Sequence, residues 1–241
     1  MALHHNPRIV TQGLQILLDA ADRSSYPGTG TTWYDLITNT SYTPDNNTPT
    51  FNTDGISYVD FEASSNPGDN LKSTSGYSGI NTQNEYTRIA WFTNESNSSF
   101  RPIIGNQVGN NIDMALAIDN SRLHFRQYLN TYTNGTTSGD YGVSGTATLA
   151  YNTWYHGAIV VNRSAQTLKM YLNGVLDKST TINLIGNSNS TVVMIGGPDS
   201  DSYSGARMFD GKVATAMHYS RELTAEEVLQ NYNATKTRFG L

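Results

Sequence analysis

Hydrophobic and polar residues alternate along much of the chain, a pattern typical of half-buried β-strands. Residues 154–161 are rich in aromatic and β-branched side chains, which suit a pleated sheet surface. Residues 167–172 place Leu, Met and Leu on one face and polar side chains on the other. Asn173 and Gly174 then precede a further strand that starts at 175–177. An Asn-Gly pair between apolar runs is the strongest short hairpin signal, so this stretch predicts an antiparallel meander.

Further runs of this kind predict strands along the rest of the chain. They lie at 14–20, 56–63, 85–94, 101–107, 191–195 and 209–219, with a hairpin over 112–130 that turns at residues 119–122. In the 56–63 run, Val59 and Phe61 are predicted to face the core, and Asp60 and Glu62 the outside. Residues 21–55 and 131–148 are rich in Gly, Thr, Ser and Asn, which predicts loops. We expect Trp33 and Leu36 to anchor the first loop.

One helix is predicted, at the C-terminus. Thr224 and Glu227 have the spacing of a capping box, in which each side chain binds a backbone N–H of the first turn. The predicted helix ends near Lys236, and Gly240 stops the chain from continuing it. Its buried stripe is predicted to consist of Val228, Leu229 and Tyr232.

These elements together predict the fold class. Many short strands separated by turn signals, with a single helix, indicate an all-β, antiparallel two-sheet jelly-roll sandwich with one short C-terminal helix. We assign residues 1–13 to an extended N-terminal arm and residues 14–241 to the sandwich domain. A domain of this length can bury a sizeable core without disulfides, and the sequence contains no cysteine.

Charge and hydropathy exclude several classes of partner. The net charge is −5, and no basic patch is visible, which argues against nucleic-acid binding. No apolar run is long enough to span a membrane, so no membrane partner is expected. The N-terminal residues lack the apolar segment of a secretory signal, so the protein is expected to fold in a cytoplasm.

The residue patterns of common catalytic sites are missing. The five histidines, which include His4 and His5, have no metal-ligand spacing, and no Gly-x-Ser-x-Gly nucleophile motif occurs. Asp60 and Glu62 form a carboxylate pair that could serve acid–base chemistry or calcium binding, or simply face solvent. A glycosidase strand would need a further carboxylate, but positions 58 and 64 are Tyr and Ser. No enzymatic activity is therefore predicted.

Several segments spread over nearly the whole chain carry a family likeness. They are LLDA (17–20), SYPGTGTTWYDL (25–36), the strand at 55–61, WYHGAIV (154–160), LKMYLNGVL (168–176), IGG (195–197) and the C-terminal block 209–241. Together they resemble the concanavalin-A-like, laminin-G-type jelly rolls, in particular those in structural proteins of tailed phages that infect cyanobacteria. The resemblance implies two packed sheets of about six or seven strands each.

The resemblance also implies a calcium ion where the first strand meets the last. The acidic pair usual in the last strand is replaced here by Ala214 and Thr215, which leaves Asp19 and Asp210 as candidate ligands for a calcium cofactor. The catalytic Glu-x-Asp-x-x-Glu strand of the related glucanases is absent.

Two functional hypotheses follow. The first is a non-catalytic virion structural or decoration protein of a tailed phage, made in the host cytoplasm, present in many copies and attached to other virion proteins through the N-terminal arm. The second is a carbohydrate-binding, lectin-like module, and both can hold for a surface protein that contacts host glycans. Sugar recognition needs aromatic faces. The candidates are tyrosines in or near the predicted loops: Tyr128, Tyr132, Tyr141 and Tyr203.

Overall fold

Two antiparallel sheets form the protein in the computed structural model, which describes residues 8–63, 68–97, 99–108, 111–129, 139–182, 188, 190–198 and 207–241. Within these ranges each sheet has eight strands, several of them only two to four residues long. The predicted two-sheet, all-β sandwich with one C-terminal α-helix is therefore confirmed.

Sheet 1 contains the meander and the last strand. Its strands are β1 (Leu14–Asp19), β4 (Thr50–Asn52), β5 (Tyr58–Phe61), β7 (Glu85–Phe92), β12 (Tyr155–Asn162), β13 (Thr167–Leu172), β14 (Val175–Thr181) and β16 (Gly211–Tyr219). Their order is β14-β13-β12-β7-β16-β5-β4, and β1 also pairs with β16. Asn173 and Gly174 both have positive φ at the β13–β14 turn, as the Asn-Gly signal predicts.

Sheet 2 contains the second hairpin. Its strands are β2 (Trp33–Tyr34), β3 (Ser41–Pro44), β6 (Leu71–Ser73), β8 (Arg101–Val108), β9 (Asn111–Asp119), β10 (Arg122–Leu129), β11 (Gly139–Ser144) and β15 (Val193–Ile195). Their order is β11-β10-β9-β8-β15-β6-β3-β2. Asn120 and Ser121 have positive φ between β9 and β10, which confirms the predicted turn.

The core lies between the two sheets and is built by the predicted alternation. Val59 and Phe61 of β5 are fully buried there, together with Trp33 and Phe125 from sheet 2. Trp33 anchors the 21–55 region as expected, whereas Leu36 is only partly buried. Interdigitating side chains from two inner faces are what holds a sandwich of this kind together.

The predictions of two long loops were partly wrong. The 21–55 region contains β2, β3 and β4, and the 131–148 region contains β11. β6 was also not predicted. These strands are short or rich in Gly, Ser and Thr, so they carry little apolar periodicity of their own and form because neighbouring strands supply their hydrogen bonds.

The C-terminal segment covers the outer face of sheet 1. The helix α1 (Ala225–Thr235) is followed by a 3₁₀ turn, Lys236–Phe239. Phe239 stacks on Trp91 of β7, with the ring centroids 3.9 Å apart. Because this segment packs on one face and the core on the other, every residue of β16 except Lys212 is buried. None of the helices in the described ranges has the length and hydrophobicity that a membrane crossing requires.

The helix begins as its sequence predicts, but one buried position was wrong. Thr224 and Glu227 form the capping box, and Gly240 ends the 3₁₀ turn with a φ of 73°. The buried residues of α1 are Val228, Asn231 and Thr235. Tyr232 of the predicted stripe is half-buried, whereas Leu229 faces outward with 42% of its surface exposed. The polar side chain of Asn231 is accommodated in the buried stripe because it bonds the N-terminal segment: its Oδ1 accepts from the Val10 N–H at 2.8 Å.

The described part of the predicted arm is packed on the domain. The hydroxyl of Tyr219 donates to the Val10 carbonyl at 2.9 Å, and Gln230 donates to the Arg8 carbonyl at 2.7 Å. Val10 is buried in an apolar cluster with Tyr219 and Val228. Residues 8–13 therefore contribute to the stability of the sheet 1 outer layer, while residues 1–7 lie outside the described residues.

A buried histidine predicts acid sensitivity. His156 is fully buried beneath α1, edge-on to Trp91 and Tyr232, and neither ring nitrogen has a hydrogen-bond partner in the described part of the chain. Burial lowers the pKa of His156 to about 3. In the unfolded chain the ring takes up its proton near pH 6.5. The contribution of the neutral ring to the free energy of unfolding is therefore fully present above that pH. It falls by up to about 1.4 kcal/mol per pH unit as the pH drops below it.

We expect His156→Phe to flatten this pH dependence, because the ring stays apolar and has no proton to bind. Urea unfolding at about pH 5 and about pH 8 would measure the loss of stability in each protein. The wild type should lose clearly more stability between the two pH values than the variant. Equal losses would mean that His156 does not control the acid sensitivity.

Candidate functional site

A cleft lies on the outer face of sheet 2, where β9, β10 and β11 run side by side. The alternation along β10 turns Phe125 into the core and places His124 and Arg126 on the outer face. In register, His124 pairs with Ser144 and Arg126 pairs with Gly142 of β11. The cleft has a volume of about 230 Å³ and is lined by Phe100, Asp119, His124, Arg126 and Gly142.

Aromatic and planar polar groups converge in this cleft. The guanidinium of Arg126 lies over the Phe100 ring, 4.1 Å from its centroid, and the His124 ring meets Phe100 edge-on at 5.8 Å. The Phe100 N–H donates to Asp119 Oδ1 at 2.9 Å, which ties the segment before β8 to the end of β9. Arg126 and His124 are only 4% and 9% exposed, so both polar heads are held in place by their surroundings.

Asp119, Ser144 and His124 are linked by side-chain contacts. Ser144 Oγ lies 2.8 Å from His124 Nδ1, and Asp119 Oδ2 lies 4.0 Å from the same nitrogen. A catalytic triad needs its serine and carboxylate on opposite nitrogens of the imidazole. In this cleft both groups lie at Nδ1, so the trio fixes the ring of His124 without activating Ser144 as a nucleophile.

Gly142 makes room for the imidazole. A Cβ at this position would lie 2.7 Å from His124 Nε2 and 2.8 Å from Cε1, closer than any side chain tolerates. The missing side chain of Gly142 thus lets His124 lie against β11 and keeps the floor of the cleft open.

Of the four predicted tyrosines, Tyr141 is the one whose side chain is described, and it does not line the cleft. Tyr141 lies on β11 beside Gly142 but faces inward, where it packs against the main core. Tyr128 occupies a position of β10 paired with Asp140. Tyr132 and Tyr203 lie outside the described residues. A role of these tyrosines in sugar binding stays a prediction.

The two predicted calcium ligands are placed apart. Asp19 pairs in register with Thr215, whereas Asp210 lies five residues before Thr215, roughly 15 Å away along the strand direction. Both oxygens of Asp19 accept from Arg238, at 2.8 and 2.9 Å.

These carboxylates do not fit a calcium ion as they stand, because Arg238 already neutralises the charge of Asp19. Within the described ranges no three His, Cys, Asp or Glu side chains come together as ligands for a metal. Calcium binding at this seam stays a prediction.

One member of the predicted carboxylate pair, Asp60, forms an ion pair with a lysine. Asp60 faces the outside of sheet 1 as expected, 3.9 Å from Lys212 Nζ, which also bonds Glu95. Burial raises the pKa of Asp60 to about 6. The positive charge of Lys212 partly offsets this shift, and the negative charge of Glu95 adds to it. Glu62 is exposed two residues further along. Asp60 and Glu95 therefore share one ammonium partner, which is the arrangement of a structural ion cluster.

The residues that line the cleft were not predicted as a site. Asp119 was assigned only to the hairpin turn, and Phe100, His124 and Arg126 were not singled out. The signal available was the run Arg122, His124 and Arg126, three cationic or basic side chains at alternate positions of one strand. Such alternation places all three on one sheet face.

The chain matches one family model. The laminin-G-type model of the concanavalin A-like lectin/glucanases superfamily aligns with residues 64–229, more than half of the chain. No curated protein sequence matches significantly.

Solved structures with this fold include toxin binding domains. The binding domain of botulinum neurotoxin DC in complex with SialylT is 14% identical with a TM-score of 0.66, and the match covers 92% of this chain and 51% of that chain. The same domain in complex with rat synaptotagmin II is 16% identical with a TM-score of 0.66, at 92% and 51% coverage. The binding domain of Paraclostridial Mosquitocidal Protein 1 is 16% identical with a TM-score of 0.67, at 92% and 52% coverage. At these identities the likeness concerns the fold, and the chain spans about half the length of each relative.

Proposed function

The chain belongs to the concanavalin A-like lectin/glucanases superfamily, and on that premise we propose that it is a non-catalytic module that binds a saccharide in the sheet 2 cleft. The observation that carries the proposal is the convergence of Arg126, His124 and Asp119 around Phe100. Sugar hydroxyls are bound by planar groups that donate and accept in fixed directions, next to an aromatic surface. A guanidinium, an imidazole and a carboxylate supply these directions together.

The surroundings of the cleft favour binding over catalysis. Ser144 and Asp119 lie on the same side of His124, and Asp60 shares Lys212 with Glu95. The sequence lacks the three-carboxylate strand of the glucanases. A neurotoxin binding domain of the same fold is described in complex with SialylT. That ligand belongs to the toxin, and it supports only the choice of saccharides as the first class to test.

Arg126→Gln is expected to weaken saccharide binding by about tenfold or more, because a hydrogen bond from a charged donor is lost in a largely buried position. The strongest binder from a glycan array would be titrated calorimetrically into the wild type and the variant. Arg122→Gln is the matched control, since Arg122 is an exposed arginine of the same strand and face. Equal affinities in both variants, with the fold intact, would remove the cleft as the binding site.

We further propose that the module is carried in many copies on the particle of a tailed phage. The support is the likeness of the C-terminal block and the other quoted segments to phage structural proteins. Mass spectrometry of purified particles tests this role, and particles without the protein would contradict it. A saccharide-binding protein that is absent from particles would instead be the stand-alone lectin-like module.

Attachment through the N-terminal arm is tested by deleting residues 1–7 and not the whole arm, residues 1–13. Residues 8–13 are packed against α1 and β16, so removing them is expected to destabilise the domain. We propose that residues 1–7 hold the contact with other virion proteins. A 1–7 deletion that melts like the wild type and no longer joins particles would support this, and normal incorporation would contradict it.

A further inference from the structure

A second groove lies on the other side of the sandwich, between the β13–β14 hairpin and the start of α1. It encloses about 590 Å³, and its lining includes Glu85, Lys169, Tyr171, Leu176, Glu222 and Ala225. This volume falls within the range of sites that bury a ligand, and the groove shares no residue with the sheet 2 cleft.

The groove carries an excess of negative charge. Lys169 Nζ bonds Glu222 Oε1 at 2.7 Å, and Asn162 Nδ2 donates to both Glu222 and Glu85. Hydrogen bonds from Asn162 and Lys169 lower the pKa of Glu222, so it is ionised at neutral pH. Glu226 in the first turn of α1 adds a further carboxylate close to Tyr171. Lys169 is the one cation among the described lining residues, so the carboxylates are only partly neutralised.

One carboxylate oxygen remains available to a ligand. Glu85 is exposed and accepts through Oε1 from Asn162 at 3.2 Å. Its Oε2 accepts no hydrogen bond from the described residues. An incoming ammonium or guanidinium could therefore bond Glu85 without displacing the ion pair of Lys169 and Glu222.

An apolar rim borders the groove. Leu176 near the hairpin tip is 51% exposed, and Leu229 of α1 is 42% exposed. Val175 lies on the opposite face of β14, because it pairs with Leu172, which packs on the main core. A Cβ on Gly174 would lie 2.8 Å from Leu229 Cδ1, which shows that the hairpin tip and the helix are in contact. Leu176, which lines the groove, and Leu229 thus offer exposed apolar surface at the hairpin–helix end of the groove.

We propose that this groove binds an extended segment of a partner protein. The segment places a lysine or arginine against Glu85, while Glu226 adds negative charge at the helix end, and its aliphatic neighbours cover Leu176 and Leu229. The negative groove selects the basic side chain, and the apolar rim distinguishes a peptide from a free amine. This inference does not depend on saccharide binding in the sheet 2 cleft.

The test uses the capped peptide acetyl-VKLRV-amide as the probe and acetyl-VELDV-amide as its acidic counterpart. At millimolar concentration the basic peptide is expected to shift the backbone amide signals of Leu176, Ser179 and Ala225, and the acidic peptide to leave them unchanged. The double variant Glu85→Gln/Glu226→Gln should weaken the basic peptide roughly fivefold. Glu62→Gln, an exposed carboxylate outside the groove, should not.

Three results would overturn the proposal. They are no shifts with the basic peptide, equal shifts with both peptides, and an unchanged affinity in the double variant. Spermine provides a further arm: binding as tight as that of the peptide would mean that the apolar rim contributes nothing and that a free amine is the ligand. Saccharide titration of the double variant should be normal, which separates this site from the cleft.

Discussion

Replacing Arg88 with methionine is expected to lower the free energy of unfolding by about 3–5 kcal/mol. Arg88 is fully buried on β7, and its guanidinium crosses the core from sheet 1 to sheet 2. It donates to the carbonyls of Ile104 and Met114 and to the side chain of Asn106. Methionine has a similar length but no donor, so these buried acceptors would lose their partner.

Because of the neighbours of Arg88, the expected loss of stability is larger than that from removing a single hydrogen bond. Nε donates to His218 Nδ1 at 3.2 Å, and the buried carboxylate of Asp113 stabilises the charge of Arg88. Burial lowers the pKa of Arg88 to about 10, so it is charged at neutral pH. Removing one member of a buried charged pair leaves the other uncompensated.

Urea unfolding of Arg88→Met against Arg122→Met measures this effect. Arg122 is an exposed arginine of sheet 2, and its replacement should change stability by less than about 0.5 kcal/mol. A loss below about 1 kcal/mol for Arg88→Met would show that the guanidinium does not connect the two sheets energetically.

Replacing Trp91 with alanine is expected to cost about 3–5 kcal/mol and to release the C-terminal segment from sheet 1. Trp91 is fully buried, stacks on Phe239, and donates from Nε1 to Thr235 Oγ1 at 2.7 Å. Tyr232 stacks on it at 5.8 Å. The indole is thus the shared contact of α1 and the 3₁₀ turn, and alanine would leave a cavity beneath both.

Trp154→Ala is the matched control, because Trp154 is only partly buried and touches Phe239 and Tyr58 at the margin of the same cluster. We expect a loss of about 1–2 kcal/mol for this variant. Hydrogen exchange of the amides of 225–239 should accelerate strongly in Trp91→Ala and little in Trp154→Ala. Unchanged protection in Trp91→Ala would show that the helix is held by other contacts.

Local signals in the sequence predicted the elements that depend on local chemistry. The Asn173-Gly174 turn and the capping box of Thr224 follow from which backbone angles and donors those residues can satisfy. The long strands follow from apolar alternation. β11 was missed because its sequence, GDYGVS, has little apolar content, and it forms because β10 offers an edge to pair with.

The candidate site was harder to predict because it joins distant segments. Phe100 precedes β8 and donates its backbone N–H to Asp119 at the end of β9, and the sheet register brings β9 beside β10 and β10 beside β11. In the sequence nothing distinguishes Arg126 from other arginines in strands. Only the structure shows that its guanidinium lies over the Phe100 ring. The tyrosines were chosen by residue type and by their place in or near predicted loops, and neither determines which sheet face a side chain occupies. Tyr141 lies on β11 and packs against the core.

The most direct test of the central claim is to map the strongest glycan-array ligand on the protein by backbone amide chemical shifts. The account predicts shifts concentrated at Phe100, Asp119, His124, Arg126 and Gly142, with the glycan recovered intact. Shifts confined to other surfaces, cleavage of the glycan, or an array without any binder would contradict it.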